Sequence, residues 1–115
     1  MVNKRDRLTA VFQALADPTR RRILVRLQQG ECRVTALAQP FRISLPAVSR
    51  HLRVLERAKL IKRHHSGRVH LIRAHAPGLK DAQKWIGRWA AFWDARFDEI
   101  DELLKKTDPG KDPQV

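Results

Sequence analysis

Arg50, Arg53 and Arg57 recur at spacings of three and four residues within LPAVSRHLRVLER, residues 45–57, so a helix would carry all three on one face. Val48, Leu52 and Leu55 fall on the opposite face and would be buried. Guanidinium groups presented this way hydrogen-bond phosphate oxygens and the O6/N7 edge of guanine, each through a planar fork of donors. Ser49 adds a hydroxyl to the same face. This is chemistry for holding a polyanion. Catalysis would need a nucleophile, a base and oxyanion donors together, and the chain has no tyrosine, one cysteine and no glycine-rich phosphate loop. Neither an enzyme nor a cofactor is expected.

Composition narrows the partner. The 115 residues include 24 Lys and Arg against 12 Asp and Glu, a net charge of +12, with 43% hydrophobic residues. That is enough apolar content for a modest core. The charge is uneven: residues 1–76 hold 17 basic against 4 acidic side chains, net +13, whereas 77–115 hold 7 against 8, net −1. The first two thirds are expected to meet the polyanion and the last third to do something else. No apolar run exceeds five residues, Trp89 to Trp93, so no membrane partner is expected. The opening MVNKRDR lacks the hydrophobic stretch of a secretion signal, and Cys32 is the sole cysteine. Both features point to the cytoplasm.

Leu8, Val11, Phe12 and Leu15 repeat at helical spacing, which predicts a first helix over about 4–16. Asp17-Pro18 caps and opens a second, with Ile23, Leu24 and Leu27 inside and Gly30 as the stop signal. Arg20, Arg21 and Arg22 are left either to solvent and phosphate or to pairing within the molecule. A short third helix is expected from Thr35, cut or distorted by Pro40. Arg42 and Ile43 turn the chain, Ser44 caps the next helix, and Pro46 suits its first turn. The helix at about 45–57 is then the second of a helix-turn-helix. LIKRHHSGRVHLIRA reads as a hairpin over about 60–75 turning at Ser66-Gly67. Pro77-Gly78 breaks the chain before a long helix at about 78–106, and the Pro- and Gly-bearing tail 107–115 is expected to be disordered. Residues 1–106 thus read as a single domain.

Helix, helix, short helix, basic helix and basic hairpin are the order of a winged helix-turn-helix, a mainly α fold with a small β-hairpin wing. ALADPTRRRIL (14–24), ISLPAVSRHLRVLERAKLI (43–61) and HHSGRVHLI (64–72) resemble the ArsR/SmtB-type bacterial repressors, in the branch without an obvious metal site. The resemblance covers roughly residues 8–105. It implies a homodimer that blocks transcription from an operator, usually near its own promoter.

Residues near the start of a recognition helix lie deepest in the major groove, so Pro46, Ala47, Ser49 and Arg50 are the base-edge candidates. Arg50 suits guanine and Ala47 a thymine methyl, while Arg53, farther along, suits phosphate. At the hairpin tip, Arg63, His64, His65 and Arg68 are expected along the backbone or in the adjacent minor groove. For His64 and His65 a plain surface role stands beside that one. His51 borders the apolar stripe and is expected to pack half-buried.

Three Trp and two Phe between Trp85 and Phe97 make a stripe wider than one side of a small monomer covers. Trp85, Trp89, Phe92, Trp93, Phe97 and Ile100, with Leu8 and Phe12 of the first helix, are therefore the candidate dimer interface. Part of the stripe can instead cap the monomer's own core. Two-fold symmetry predicts an inverted-repeat operator with half-sites about 10 base pairs apart.

Metal sensing needs clustered thiolates, imidazoles or carboxylates. In relatives with a thiolate site, a spaced cysteine pair follows Gly-Glu; the resemblance puts Arg33 and Thr35 at those positions, with Cys32 one residue off. No histidine follows His75, and no metal is expected. The effector, a small molecule or a protein, stays open. Two rivals share the basic face: a non-specific architectural DNA-binding protein and a small RNA-binding protein. RNA modules usually stack bases on aromatic strand residues, and the hairpin has none, which favours duplex DNA.

Overall fold

In the computed structural model, which describes residues 4–75 and 77–107, helix α1 runs Lys4–Leu15 and α2 runs Pro18–Leu27. The joint between them is built from side chains. Asp17 stands in extended backbone and its carboxylate accepts the Arg20 backbone N–H at 3.0 Å, while Pro18 fills a first-turn position that needs no N–H. Arg20 and Arg21 then satisfy carbonyls that the end of α1 leaves open. Arg20 donates from Nε to the Ala14 carbonyl at 2.8 Å and from Nη2 to that of Gln13 at 2.9 Å; Arg21 donates to Leu15 at 2.8 Å. Of the two roles open to these arginines, pairing within the molecule is the one observed. Arg22 also turns inward, with its guanidinium 4.9 Å from the Phe41 ring centroid.

Gly30, at φ 121°, turns the chain into a two-residue strand, β1 (Cys32–Arg33). Helix α3 (Val34–Ala38) is one residue longer at its start than expected and stops early, passing into a 3-10 turn at Gln39–Phe41. Pro40 lies in that turn and accounts for the short helix. Arg42 takes the left-handed φ of 54°, and Ser44 caps α4 (Leu45–Arg57), its Oγ accepting the Ala47 N–H at 3.2 Å. Strands β2 (Ile61–Ser66) and β3 (Val69–Ala74) form the hairpin, closed by the Ser66–Val69 pair around Gly67 at φ 65°. β1 adds to the other side of β3, giving an antiparallel sheet in the order β1-β3-β2 with Cys32 opposite Ile72. This third strand has no counterpart in the sequence reading. Two residues show no alternation, and only the free edge of β3 makes them a strand.

The core of this part of the chain gathers Val11, Ile23, Leu37 and Ile72, from α1, α2, α3 and β3, around Val48, Leu52 and Leu55 of α4. Helix α5 (Pro77–Thr107) starts one residue earlier than expected. Pro77-Gly78 forms its first turn, where the sequence reads as a break before the helix. Gly78 is needed there for close approach, since a Cβ on it would collide with the Ala58 carbonyl oxygen. Ala82 is still buried at 1% exposure, whereas every side chain from Gln83 to Lys106 is exposed. Among the described residues the chain divides into two compact units, with the boundary between Ala82 and Gln83. The tail expected beyond the helix falls, after Thr107, outside the described residues.

Candidate nucleic-acid interface

The apolar face of α4 is sealed: Val48, Leu52 and Leu55 are all fully buried. At 100° per residue, Pro46, Arg50, Arg53 and Arg57 project from the side directly opposite, and all four are exposed. None of the three arginines has an acidic partner among the described residues. Ala47 and Ser49 lie on the two flanks of that ridge and are half-buried.

The flanks differ. On the Ala47 side, half-buried His51 meets α2, its Nδ1 3.2 Å from Nη1 of Arg20. A guanidinium can only donate, so Nδ1 accepts and the ring proton sits on Nε2. The Asp17 carboxylate, 3.9 Å from the same Nδ1, is too far for a hydrogen bond and acts as a neighbouring charge of Arg20. His51 is thus a packing and bonding residue, in keeping with its place beside the stripe.

On the Ser49 side, α4 faces the wing. Glu56, the one acid of this helix, lies with Oε1 3.8 Å from Nε of Arg63 on β2. That contact offsets a carboxylate that would repel phosphate. A shorter bond fixes the neighbouring residue: His64 Nε2 stands 2.7 Å from Glu31 Oε1, in the turn before β1. His65 packs edge-on against His70, ring centroids 4.2 Å apart, and remains exposed with Lys62 and Arg68. The four wing candidates therefore separate into two tied inward, Arg63 and His64, and two left at the surface, His65 and Arg68. No sequence signal marks that division, because the acids responsible come from other elements.

Between wing and recognition helix lies an open cleft of about 390 Å³, walled by Arg33, Thr35, Ser49, Arg63, Arg68 and His70. Its apolar lining is Val34, Leu45 and Val69, and no carboxylate belongs to it.

A family model for a helix-turn-helix domain matches residues 15–64, the span from the end of α1 into β2. The transcriptional repressor SdpR of Bacillus subtilis is 37% identical over 76 residues, 66% of this chain and 84% of that protein. The solved ArsR-like transcriptional regulator from Rhodococcus sp. RHA1 superposes with a TM-score of 0.68 at 30% identity, covering 89% of this chain and 96% of that one. The homodimeric winged helix-turn-helix DNA-binding domain Mb0332 of Mycobacterium bovis gives a TM-score of 0.57 at 29% identity, over 82% and 81% of the two chains. The chain belongs to the ArsR/SmtB family of winged helix-turn-helix regulators.

In this ArsR/SmtB-type regulator Cys32 is buried, its thiol 3.6 Å from the Arg33 carbonyl, and among the described residues no three His, Cys, Asp or Glu side chains gather as metal ligands. Among the same residues, no helix is long and apolar enough to cross a membrane. The dimer candidates fall into two groups. Leu8 and Phe12 of α1 are half-buried against the core. Trp85, Trp89, Phe92, Trp93, Phe97 and Ile100 of α5 are all exposed, Trp89 to 52% and Phe97 to 55%. Five of these rings form a continuous ladder with centroid spacings of 5.4 to 6.1 Å, from Trp85 through Trp89, Phe92 and Trp93 to Phe97. Arg96 stacks on Phe92 at 5.0 Å and pairs with Glu99 at 3.6 Å, so this cation is neutralised locally, while Arg88 lies beside Trp85, Trp89 and Phe92.

Proposed function

We propose that this regulator binds an inverted-repeat operator as a homodimer in the cytoplasm and represses transcription, each subunit laying α4 into a major groove and its wing along the flanking backbone. The observation that carries the reading is the α4 ridge: arginines unpaired by any described acid stand opposite a sealed apolar face. Guanidiniums clustered on one face without carboxylates beside them create a positive potential that attracts a polyanion and can hydrogen-bond its phosphates. On this ridge Arg50 reads guanine, Ala47, Ser49 and Pro46 touch neighbouring base edges, and Arg53 holds phosphate. Arg68 and His65 continue the phosphate track onto the wing, with Arg63 and His64 setting its angle. The aromatic ladder of α5 together with Leu8 and Phe12 forms the subunit contact; an exposed stripe of that size is costly to leave in water. SdpR's description as a repressor and Mb0332's as a homodimer support the sign of regulation and the stoichiometry.

A footprint on the DNA upstream of the protein's own coding sequence tests the reading. Protection of two half-sites related by a dyad, about 10 base pairs centre to centre, is expected. Uniform protection with no preferred sequence would instead make the chain an architectural DNA-coating protein.

A further inference from the structure

We infer that the cleft between wing and recognition helix is an effector site for a small organic phosphate monoester, and that its occupant displaces DNA. The inference rests on the DNA-binding reading above, because Ser49 and Arg68 belong to both surfaces. Four observations carry it. Three arginines line the cleft, Arg33 of β1, Arg63 of β2 and Arg68 at the hairpin tip. Guanidiniums bordering one cleft suit a compact dianion with several acceptor oxygens, since each can donate two hydrogen bonds to it. Thr35, Ser49 and His70 supply further donors beside them. No carboxylate lines the cleft; Glu56 and Glu31 are engaged by Arg63 and His64, and Arg33 and Arg68 have no acidic partner among the described residues. The floor of Val34, Leu45 and Val69 is apolar, which a bare phosphate group does not use and an organic body does.

The volume, about 390 Å³, lies in the range of small-molecule sites, of order 300–1,000 Å³. It is also larger than one phosphate group requires. A ligand seated here would put its own negative charge beside Ser49 and Arg68, in the space that the DNA must occupy. Binding of ligand and of DNA then exclude one another, and release from the operator needs no long-range conformational change.

Phenyl phosphate is a suitable probe, with inorganic phosphate and sodium chloride of equal ionic strength as companions, titrated into the full chain and followed by amide chemical shifts. Saturable shifts confined to residues 33–35, 45, 49, 63 and 68–70 are expected, several-fold tighter for phenyl phosphate than for inorganic phosphate. Arg33→Gln and the near-isosteric Thr35→Val should each weaken phenyl phosphate at least fivefold while leaving specific duplex affinity within threefold. At ten times its dissociation constant, phenyl phosphate should weaken operator binding about tenfold per subunit, and so about a hundredfold for the dimer, as competition at two equal sites requires. Shifts that never saturate, indifference to Arg33→Gln, or equal affinity for inorganic phosphate overturn the inference. So does a result in which Arg33→Gln impairs only duplex binding, for the cleft then serves the DNA backbone. A chain that discriminates among duplexes and ignores phenyl phosphate fails this inference alone; one that shows no duplex preference fails the DNA-binding reading itself.

Discussion

Arg20 of α2 and His51 of α4 are joined at 3.2 Å, Nη1 to Nδ1, while the same guanidinium holds the carbonyls of Gln13 and Ala14 at the end of α1. One side chain thereby ties together the three helices that support the recognition surface. Arg20→Ala should lower unfolding stability by about 1–3 kcal/mol, because a charged donor's hydrogen bonds to partly buried acceptors disappear. Equilibrium urea denaturation measures this. The salt dependence of duplex binding should not change, because Arg20 is committed to the fold; a reduced salt slope would place it on DNA instead.

Asp17 stands at the same joint. Its carboxyl is held below the ordinary value of 3.8, chiefly by the Arg20 backbone N–H, with partial desolvation opposing and the charges around it adding. A native value below the unfolded one means that the charged form stabilises the fold at pH above 3.8 and that this contribution fades as pH falls through the native value. Asp17→Asn keeps a good N-cap and removes the charge. The gap in urea midpoint between the native chain and Asp17→Asn should be constant above about pH 5 and close as the solution becomes more acid. A gap that does not respond to acid would assign the role of Asp17 to its shape alone.

Arg50 is exposed on the ridge, in the second turn of α4 and opposite Leu52 and Leu55. Arg50→Ala should cost about 1–3 kcal/mol on the preferred duplex and much less on random sequence. Competition binding with both duplexes decides it. Equal losses on the two would leave Arg50 as a phosphate contact.

Arg68, exposed at the hairpin tip, should behave in the opposite way. Arg68→Ala is expected to weaken both duplexes alike and to reduce the slope of log affinity against log salt by about 0.9, the amount one unneutralised phosphate accounts for. An unchanged slope takes the wing tip off the backbone.

Trp89 is at the centre of the aromatic ladder, 6.1 Å from Trp85, 5.9 Å from Phe92 and 5.6 Å from Trp93. Trp89→Glu places a charge where the proposed subunit interface is most apolar and should yield monomers in light scattering. A dimer that survives the change moves the interface elsewhere.

Much of the fold is legible locally. The caps at Asp17 and Ser44, the stripe of Val48, Leu52 and Leu55, and the turn at Gly67 each depend on residues a few positions apart, and each is observed where the pattern puts it. The family resemblance is carried by the same segments. Strand β1 is not legible in this way, because it exists only through pairing with Ile72 and Leu71 of β3, some forty residues later. Pro77-Gly78 reads as a break for a related reason. Both residues commonly interrupt helices, but here Pro is at the first turn and Gly admits the Ala58 carbonyl.

What the amino-acid order determined by itself is the periodic part of this protein: which side of each helix is apolar, where helices begin, and that the first two thirds carry an excess of cations. These follow from interactions between near neighbours and from counting. Which cations are available for DNA was decided only by the tertiary structure. Arg20, Arg21 and Arg63 look no different in sequence from Arg50, Arg53 and Arg68. The first three meet carbonyls or a carboxylate brought in from other elements, whereas the latter project where no described acid reaches. Charge is a property of a residue, but freedom to bind is a property of what surrounds it in space.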